Sequence, residues 1–264
     1  LFEGCASGGN RYDLGMLCYF PQIWTSDNTD YLERLYIQTG TSYGYPLSAM
    51  TNHVSAIPNH QTLRETPLSS RFNLACFGNL GYELNLLELS QFEKDAIKKQ
   101  ISLYKRHRML FQYGRFYRSD KTIFARNNTY FYNVGQDGEQ AILGFFQELV
   151  HPSQEEDVIF IKGLEPGIYH FRNHPEKINL KKFGGLINLV LPVRIKVNGK
   201  LHNFICRVYK LKGETDSYLI SDEALKYAGL RLSSQFLGSG FNSKVRVLGD
   251  FGSRIYFINK TDSK

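Results

Sequence analysis

The sequence predicts two fold classes in one chain, an α/β region with a parallel sheet followed by an all-β region that forms an antiparallel sandwich. Residues 1 to about 85 alternate short strand signals with helix signals, which is typical of βα units. Beyond Gly114 the chain changes to short apolar or aromatic runs separated by turn formers such as Asn127-Asn128. We therefore predict two domains, residues 1–112 and residues 113–264.

The α/β region is predicted to contain three successive strands. Apolar Leu1-Phe2 leads into a loop of small residues, and Gln22–Thr25 is typical of a short buried strand. A helix is expected over Tyr31–Gln38, with Asp30 as its N-cap. A third strand is expected around Tyr43–Pro46. In parallel α/β folds of this kind, functional side chains lie at the carboxyl ends of the strands.

The second region opens after a long helix, which Ser90 and Glu93 begin as a capping box. Further along, residues 189–197 and 202–211 are predicted to be strands. Asn198-Gly199 suits a type I′ turn that would join them as a hairpin.

The 264 residues carry a net charge of +7 that is unevenly distributed. Residues 1–85 hold four basic and seven acidic residues (−3), so the remainder holds 28 of the 32 basic and 18 of the 25 acidic residues (+10). A basic region can bind nucleic acid, but these charges form no compact run, which favours solvated faces. We expect no nucleic-acid partner.

The composition also bears on the compartment. No stretch approaches the roughly 18 consecutive apolar residues of a membrane span, and the first residues lack the basic segment of a signal peptide. The four cysteines, Cys5, Cys18, Cys76 and Cys206, have neither the spacing of a disulfide framework nor that of a zinc site. We expect a cytoplasmic protein with no membrane partner.

Several blocks of the sequence carry a family resemblance. Cys5-Ala-Ser-Gly-Gly-Asn-Arg-Tyr-Asp13, Trp24-Thr-Ser-Asp-Asn-Thr-Asp30 and Asn52-His-Val-Ser-Ala-Ile-Pro-Asn-His-Gln61 resemble consecutive blocks of glycoside hydrolase family 36 α-galactosidases. The resemblance continues, in order, through Gly78–Glu83, Leu164–Tyr169 and Gly249–Tyr256. The segment from Leu180 to Tyr209 is similar to members from lactic acid bacteria.

The resemblance implies a fold and a reaction. The fold would be the C-terminal portion, strands six to eight, of a (β/α)8 TIM barrel, followed by an antiparallel β-sandwich. The reaction would be the retaining hydrolysis of terminal α-D-galactose from galacto-oligosaccharides such as melibiose and raffinose, which needs two carboxyl groups. Family members have no cofactor and use an α-galactoside as substrate, and the full-length enzyme is expected to be a homo-oligomer.

The resemblance also implies which residues act. Asp27, in the Trp-Thr-Ser-Asp block, would be the catalytic acid/base. The nucleophilic Asp belongs to a Lys-Trp-Asp block that this sequence does not contain, since Trp24 is its single tryptophan. Strand-like residues at position 1 agree with a chain that begins inside a domain. We therefore expect the 264 residues alone to be almost inactive.

The remaining site residues follow from the same blocks. Cys5, Ser7 and Gly8 match the block that touches the galactose ring, and Trp24 would supply an apolar wall or pack behind the loop. Asp30 competes with Asp27 as the acid/base, but helix capping accounts for it. His53 and His60 have no metal-ligand spacing, so no metal site is expected.

Two other function classes stay open at this point. Residues 114–264 alone could form a non-catalytic carbohydrate-binding or interaction sandwich, in which case ligand binding would survive deletion of residues 1–85. The basic second region could bind nucleic acid, which a steep salt dependence of retention would reveal.

Overall fold

The computed structural model describes residues 2–119, 127–151, 157–189, 191–234 and 245–261. The chain has a parallel sheet with its helices in the first part and a larger antiparallel sheet in the second. No helix within these ranges is both long enough and apolar enough to cross a membrane.

The first sheet has four parallel strands in chain order. They are β1 (Glu3–Gly4), β2 (Gln22–Trp24), β3 (Met50–Ser55) and β4 (Asn79–Glu83). Adjacent pairs are in register at Gly4 with Ile23, Trp24 with Thr51 and His53 with Gly81. The sequence predicts three strands in this region, and that count is wrong. Residues 43–46 form a turn that leads toward β3, and β4 was not predicted.

Helical segments connect these strands. They are the turn α1 (Ala6–Gly9), α2 (Tyr31–Thr41), α3 (Leu68–Ala75) and α4 (Gln91–Tyr113), with short 3₁₀ turns at Leu14–Cys18 and Leu47–Ala49. The two predicted caps are confirmed. The Asp30 side chain accepts hydrogen bonds from two backbone N–H groups of α2, and Ser90 with Glu93 forms a complete capping box on α4. α2 extends past its predicted end and includes Gly40.

The second part is dominated by a six-stranded antiparallel sheet. Its strands are β5 (Arg115–Arg118), β6 (Asn128–Val134), β7 (Gln140–Gln147), β9 (Ile168–Asn173), β12 (Ser217–Ser221) and β14 (Ser253–Lys260). Their order across the sheet is β12-β9-β14-β7-β6-β5. Two small antiparallel pairs accompany it. They are β8 (Val158–Ile159) with β13 (Leu230–Arg231), and β10 (Lys177–Asn179) with β11 (Lys210–Lys212). The predicted antiparallel sheet domain is confirmed, whereas its assignment as a full sandwich stays a prediction.

The six-stranded sheet lies between two hydrophobic clusters. One face, through Phe131, Phe146 and Ile255, shares a cluster with Ile23 and Val54 of the parallel sheet. The opposite face packs against β8, β13 and their flanking residues. The predicted division at residue 112 falls at the end of α4. It stays a prediction, because one core continues across it.

The predicted hairpin around Asn198-Gly199 is wrong. A 3₁₀ segment (Leu180–Leu189) is followed by α5 (Lys200–Val208), so neither flanking strand exists as expected. Asn198 does have the positive φ (61°) that its residue type favours, but it leads into α5. The side chains that α5 buries are His202 and Cys206, which lie on one face of the helix because they are four residues apart.

Candidate active site

The turn α1 follows β1 and has an unusual backbone. Ala6, Ser7, Gly8 and Gly9 all have positive φ, at 49°, 58°, 80° and 84°. Gly9 N–H donates to the carbonyl of Cys5 at 2.7 Å and closes the turn. Left-handed backbone costs an ordinary residue about 1–2 kcal/mol, and such strain concentrates at functional sites. Ala6 and Ser7 therefore mark this turn as a candidate binding element.

The two glycines allow α1 to lie against the carboxyl end of β2. A Cβ on Gly9 would collide with the Thr25 carbonyl oxygen and would lie 2.8 Å from that of Trp24. A Cβ on Gly8 would lie 2.9 Å from Asp27 Oδ2. Glycine is thus required twice, for backbone conformation and for close approach.

Asp27 is an exposed carboxylate that lies beside the α1 turn. It follows β2 directly, and its Oδ1 accepts a hydrogen bond from the Trp24 indole Nε1 at 2.7 Å. Its Oδ2 faces Gly8. One oxygen is therefore held by the protein, while the other lies beside the glycine turn, where a ligand could meet it.

The competing carboxylate, Asp30, has a structural environment. It is 1% exposed, and its Oδ2 accepts from the backbone N–H groups of Leu32 and Glu33 at 3.1 and 3.3 Å. Its carboxylate also pairs with Arg64 and accepts from the Thr62 hydroxyl at 3.1 Å. Through these partners, Asp30 holds α2 and the loop after β3 together.

The predicted sugar-contacting residues lie on α1 and β2. Cys5 and Ser7 are exposed on the turn, and Gly8 and Trp24 are partly buried beside it. Cys5 and Trp24 also line a cavity of about 230 Å³, together with Glu3, Arg11, Met16 and Phe20. The structure therefore brings Cys5, Ser7, Gly8, Trp24 and Asp27 into one region.

Arg34 lies beneath this region and was not predicted. Its guanidinium donates to the Thr25 hydroxyl, to the Ser26 carbonyl at 3.3 Å and to the Thr51 carbonyl at 3.2 Å. It lies 5.3 Å from the Trp24 ring centre. Burial lowers the pKa of Arg34 to about 10, so it stays charged at neutral pH. A buried cation thus joins the carboxyl end of β2 to the start of β3.

His53 is also part of the site region. It lies within β3, and the centre of its imidazole ring is 4.7 Å from that of the Trp24 ring. Its Nδ1 is 3.5 Å from Glu83 Oε2 on β4. Among the described residues, no group of three or more His, Cys, Asp and Glu side chains is placed to hold a metal ion.

Comparison with known families matches both parts of the chain. Residues 1–114 match the Melibiase family, and residues 129–258 match the Glycosyl hydrolase family 36 C-terminal domain. The chain belongs to glycoside hydrolase family 36. The family resemblance seen in the sequence blocks is confirmed, and the parallel half is a portion of a barrel that precedes a C-terminal sheet domain.

Curated relatives of this family 36 chain are α-galactosidases. Alpha-galactosidase AgaA of Geobacillus stearothermophilus is 46% identical over 165 residues, which are 62% of this chain and 22% of that protein. Alpha-galactosidase 1 of Pediococcus pentosaceus is 48% identical over 145 residues, 55% of this chain and 20% of that protein. The chain thus spans about a fifth of the length of these relatives.

Solved structures give the same relationship. The α-galactosidase from Lactobacillus brevis superposes with a TM-score of 0.74 and 36% identity, covering 100% of this chain and 29% of that one. A variant of AgaA in complex with raffinose superposes with a TM-score of 0.73 and 32% identity, covering 99% of this chain and 29% of that one.

Proposed function

We propose that this chain supplies the acid/base half of a retaining α-galactosidase site, with Asp27 as the acid/base. The observation that carries the proposal is the setting of Asp27. Its carboxylate follows a parallel strand, is held at Oδ1 by the Trp24 indole at 2.7 Å and faces a glycine turn at Oδ2. Membership of glycoside hydrolase family 36 supports it.

In the proposed mechanism, Asp27 acts twice. Its protonated form gives a proton to the glycosidic oxygen as the bond to the leaving group breaks, and its ionised form then takes a proton from the attacking water. The indole N–H fixes one carboxylate oxygen, which leaves Oδ2 for both transfers. The nucleophile would lie about 5–5.5 Å away, as retaining glycosidases require. We propose that it comes from a strand outside these 264 residues, because the sequence contains no Lys-Trp-Asp block.

We propose that α1 and Trp24 hold the sugar. Backbone groups of the left-handed turn can approach the galactose closely at Gly8, while the Cys5 and Ser7 side chains project from the same turn. Trp24 offers an apolar ring face. The substrates would be galacto-oligosaccharides with terminal α-D-galactose, such as melibiose and raffinose. Cytoplasmic location and homo-oligomerisation of a full-length enzyme stay predictions.

The test replaces Asp27 by Ala in a complete barrel. A suitable enzyme is a chimera in which this chain replaces the segment of AgaA that it matches. Loss of proton donation should lower the rate on a poor leaving group by about 10²–10⁴-fold. An activated aryl leaving group needs little protonation, so its departure should suffer much less. Water would lack its base, and the galactosyl-enzyme should accumulate.

Azide then separates the possible roles. It needs no base, so it should restore turnover of Asp27→Ala and give an α-galactosyl azide, since it attacks from the face that Asp27 occupied. A β-galactosyl azide would mark Asp27 as the nucleophile. Asp30→Ala is the matched control and should lower thermal stability, with no azide rescue. Equal damage by both substitutions, without rescue, would mean that Asp27 is not the acid/base.

A simpler measurement tests the proposal that the nucleophile comes from outside these 264 residues. The purified 264-residue chain should bind galactose with a change in Trp24 fluorescence, yet hydrolyse an aryl α-galactoside almost not at all. Turnover at the rate of a complete enzyme would contradict the proposal that the nucleophile lies elsewhere.

A further inference from the structure

Three residues on neighbouring strands form a row next to Asp27. Gly81 on β4 pairs with His53 on β3, and the His53 ring lies 4.7 Å from that of Trp24 on β2, at an interplanar angle of 58°. Trp24 in turn donates its indole N–H to Asp27. The row therefore ends at the carboxylate to which the proposed function assigns proton transfer.

Hydrogen bonding does not account for the position of His53. Its Nδ1 is buried and makes no hydrogen bond within the described part of the chain, although Glu83 Oε2 lies 3.5 Å away. The position of the imidazole is set by contacts of its ring, with Trp24 on one side and Gly81 on the other.

Gly81 provides the room that this arrangement needs. A Cβ at this position would collide with His53 Cδ2 and lie 2.5 Å from His53 Nε2. Gly81 does not have the positive φ that would demand glycine for its backbone. Its lack of a side chain matters for space, because it lets the imidazole lie across β4.

The Trp24 indole needs such support to aim its N–H. Arg34 contacts the ring at 5.3 Å, and His53 contacts it at 4.7 Å. Aromatic contacts of this kind add to the stabilisation from area burial, and so they favour one indole orientation. Without His53, the indole could rotate away from Asp27.

We propose that His53 is a positioning residue for Asp27, acting through Trp24. The imidazole fixes the indole so that its N–H holds one carboxylate oxygen and leaves the other free to exchange a proton. This inference rests on the proposed function for its catalytic meaning. The physical coupling between His53, Trp24 and Asp27 can be measured without substrate or turnover.

The experiment uses the 264-residue chain, in which Trp24 is the single tryptophan and thus the single indole reporter. Asp27→Asn should change the Trp24 emission, because the indole loses its charged acceptor. His53→Ala should lower Trp24 fluorescence anisotropy and abolish the response to Asp27→Asn. His53→Phe keeps a ring beside the indole and should restore both signals. His60→Ala is the matched control, since His60 is exposed in the segment after β3, and it should change neither.

A second perturbation approaches from the opposite side. Gly81→Ala should push the imidazole toward Trp24 and shift the emission in the wild-type chain, but not in His53→Ala. If His53→Ala fails to fold, Gly81→Ala is made in the His53→Phe chain, where a ring meets the same Cβ and the emission should shift again; an unchanged emission there would count against the proposal. Unchanged anisotropy in His53→Ala, with the Asp27→Asn response retained, would overturn the proposal, as would failure of His53→Phe to restore the signals. Neither result depends on whether Asp27 is the acid/base, which the azide experiment tests separately.

Discussion

Phe77 should couple the stability of the two parts of the chain. It follows α3 and is 1% exposed. Its ring makes edge contacts with Phe111 of α4 at 5.3 Å, with Phe131 of β6 at 4.7 Å and with Phe146 of β7 at 6.4 Å between centres. The side chain thus reaches from the parallel half into the antiparallel sheet. Phe77→Ala removes it from both.

The size of the effect follows from burial and ring contacts. Phe→Ala in a protein core costs about 3–5 kcal/mol of unfolding free energy. Three aromatic partners favour the upper part of that range, because each edge contact adds about 0.5–1.5 kcal/mol beyond area burial. We expect a loss of about 4–5 kcal/mol. Since folded domains have stabilities of about 5–15 kcal/mol, this is a large fraction of the total.

The assay must observe each half separately. Trp24 emission during urea unfolding reports on the parallel half, and hydrogen exchange of the β7 and β14 amides reports on the antiparallel sheet. Because one hydrophobic cluster contains residues of both, Phe77→Ala should lower the two stabilities by the same amount in one transition.

The control removes the same atoms from the surface. Phe2 is 75% exposed, so Phe2→Ala should cost less than about 1 kcal/mol. If Phe77→Ala lowered the Trp24 midpoint while β7 and β14 kept their exchange protection, the halves would fold independently. The reasoning from a shared core would then be refuted.

Two further predictions concern α1 and the helix–sheet contact. Gly9→Ala should lower the melting temperature and abolish the galactose-induced change in Trp24 fluorescence. Gly9 has a φ of 84°, and the Cβ of an alanine there would meet the Thr25 carbonyl. Unchanged galactose affinity would contradict this prediction. Burial lowers the pKa of both His107 and His174. As pH falls, these histidines are therefore protonated in the unfolded chain before they are protonated in the folded chain. The unfolding free energy should therefore hold above about pH 6.5 and decline below it. Glutamine at both positions should flatten that decline between about pH 5 and 7, and an equally steep decline in the double variant would show that other groups cause it.

The sequence predicted elements that depend on local chemistry. The N-caps of α2 and α4 were found because Asp30 and Ser90 bond to backbone groups within three residues along the chain. Strand β4 was missed because its five residues include no run of apolar side chains. The third strand was predicted at residues 43–46 instead of at β3 (Met50–Ser55) for a related reason. Asn52 interrupts its buried side, where its amide nitrogen donates to the Phe77 carbonyl at 2.8 Å.

The same distinction holds in the candidate site. Asp27 and the glycine turn could be located from consecutive residues, whereas Arg34 and His53 depend on contacts between strands and helices. A signal for Arg34 was present, since it lies on the buried stripe of α2 with Tyr31, Leu35 and Gln38. A charged residue on such a stripe needs buried acceptors, which here are the Thr25 hydroxyl and the Ser26 and Thr51 carbonyls.

The two faces of the parallel sheet differ: one joins the hydrophobic core, and the other carries residues of the candidate site. Ile23, Met50 and Val54 point toward the helices and join the hydrophobic core. The alternate residues are polar and bond to one another, as when Gln22 donates to Glu3 at 2.7 Å and Asn79 donates to Gln22 at 3.0 Å. Parallel sheets normally bury apolar side chains on both faces, so a polar face calls for a different explanation.

Trp24 and His53 lie on this polar face, and Asp27 follows the carboxyl end of β2. Because the side-chain period of a strand is two, one sequence can supply the core from one set of positions and the candidate site from the other. Substitutions on the core face should therefore act on stability, and those on the polar face on Trp24, Asp27 and the ligand.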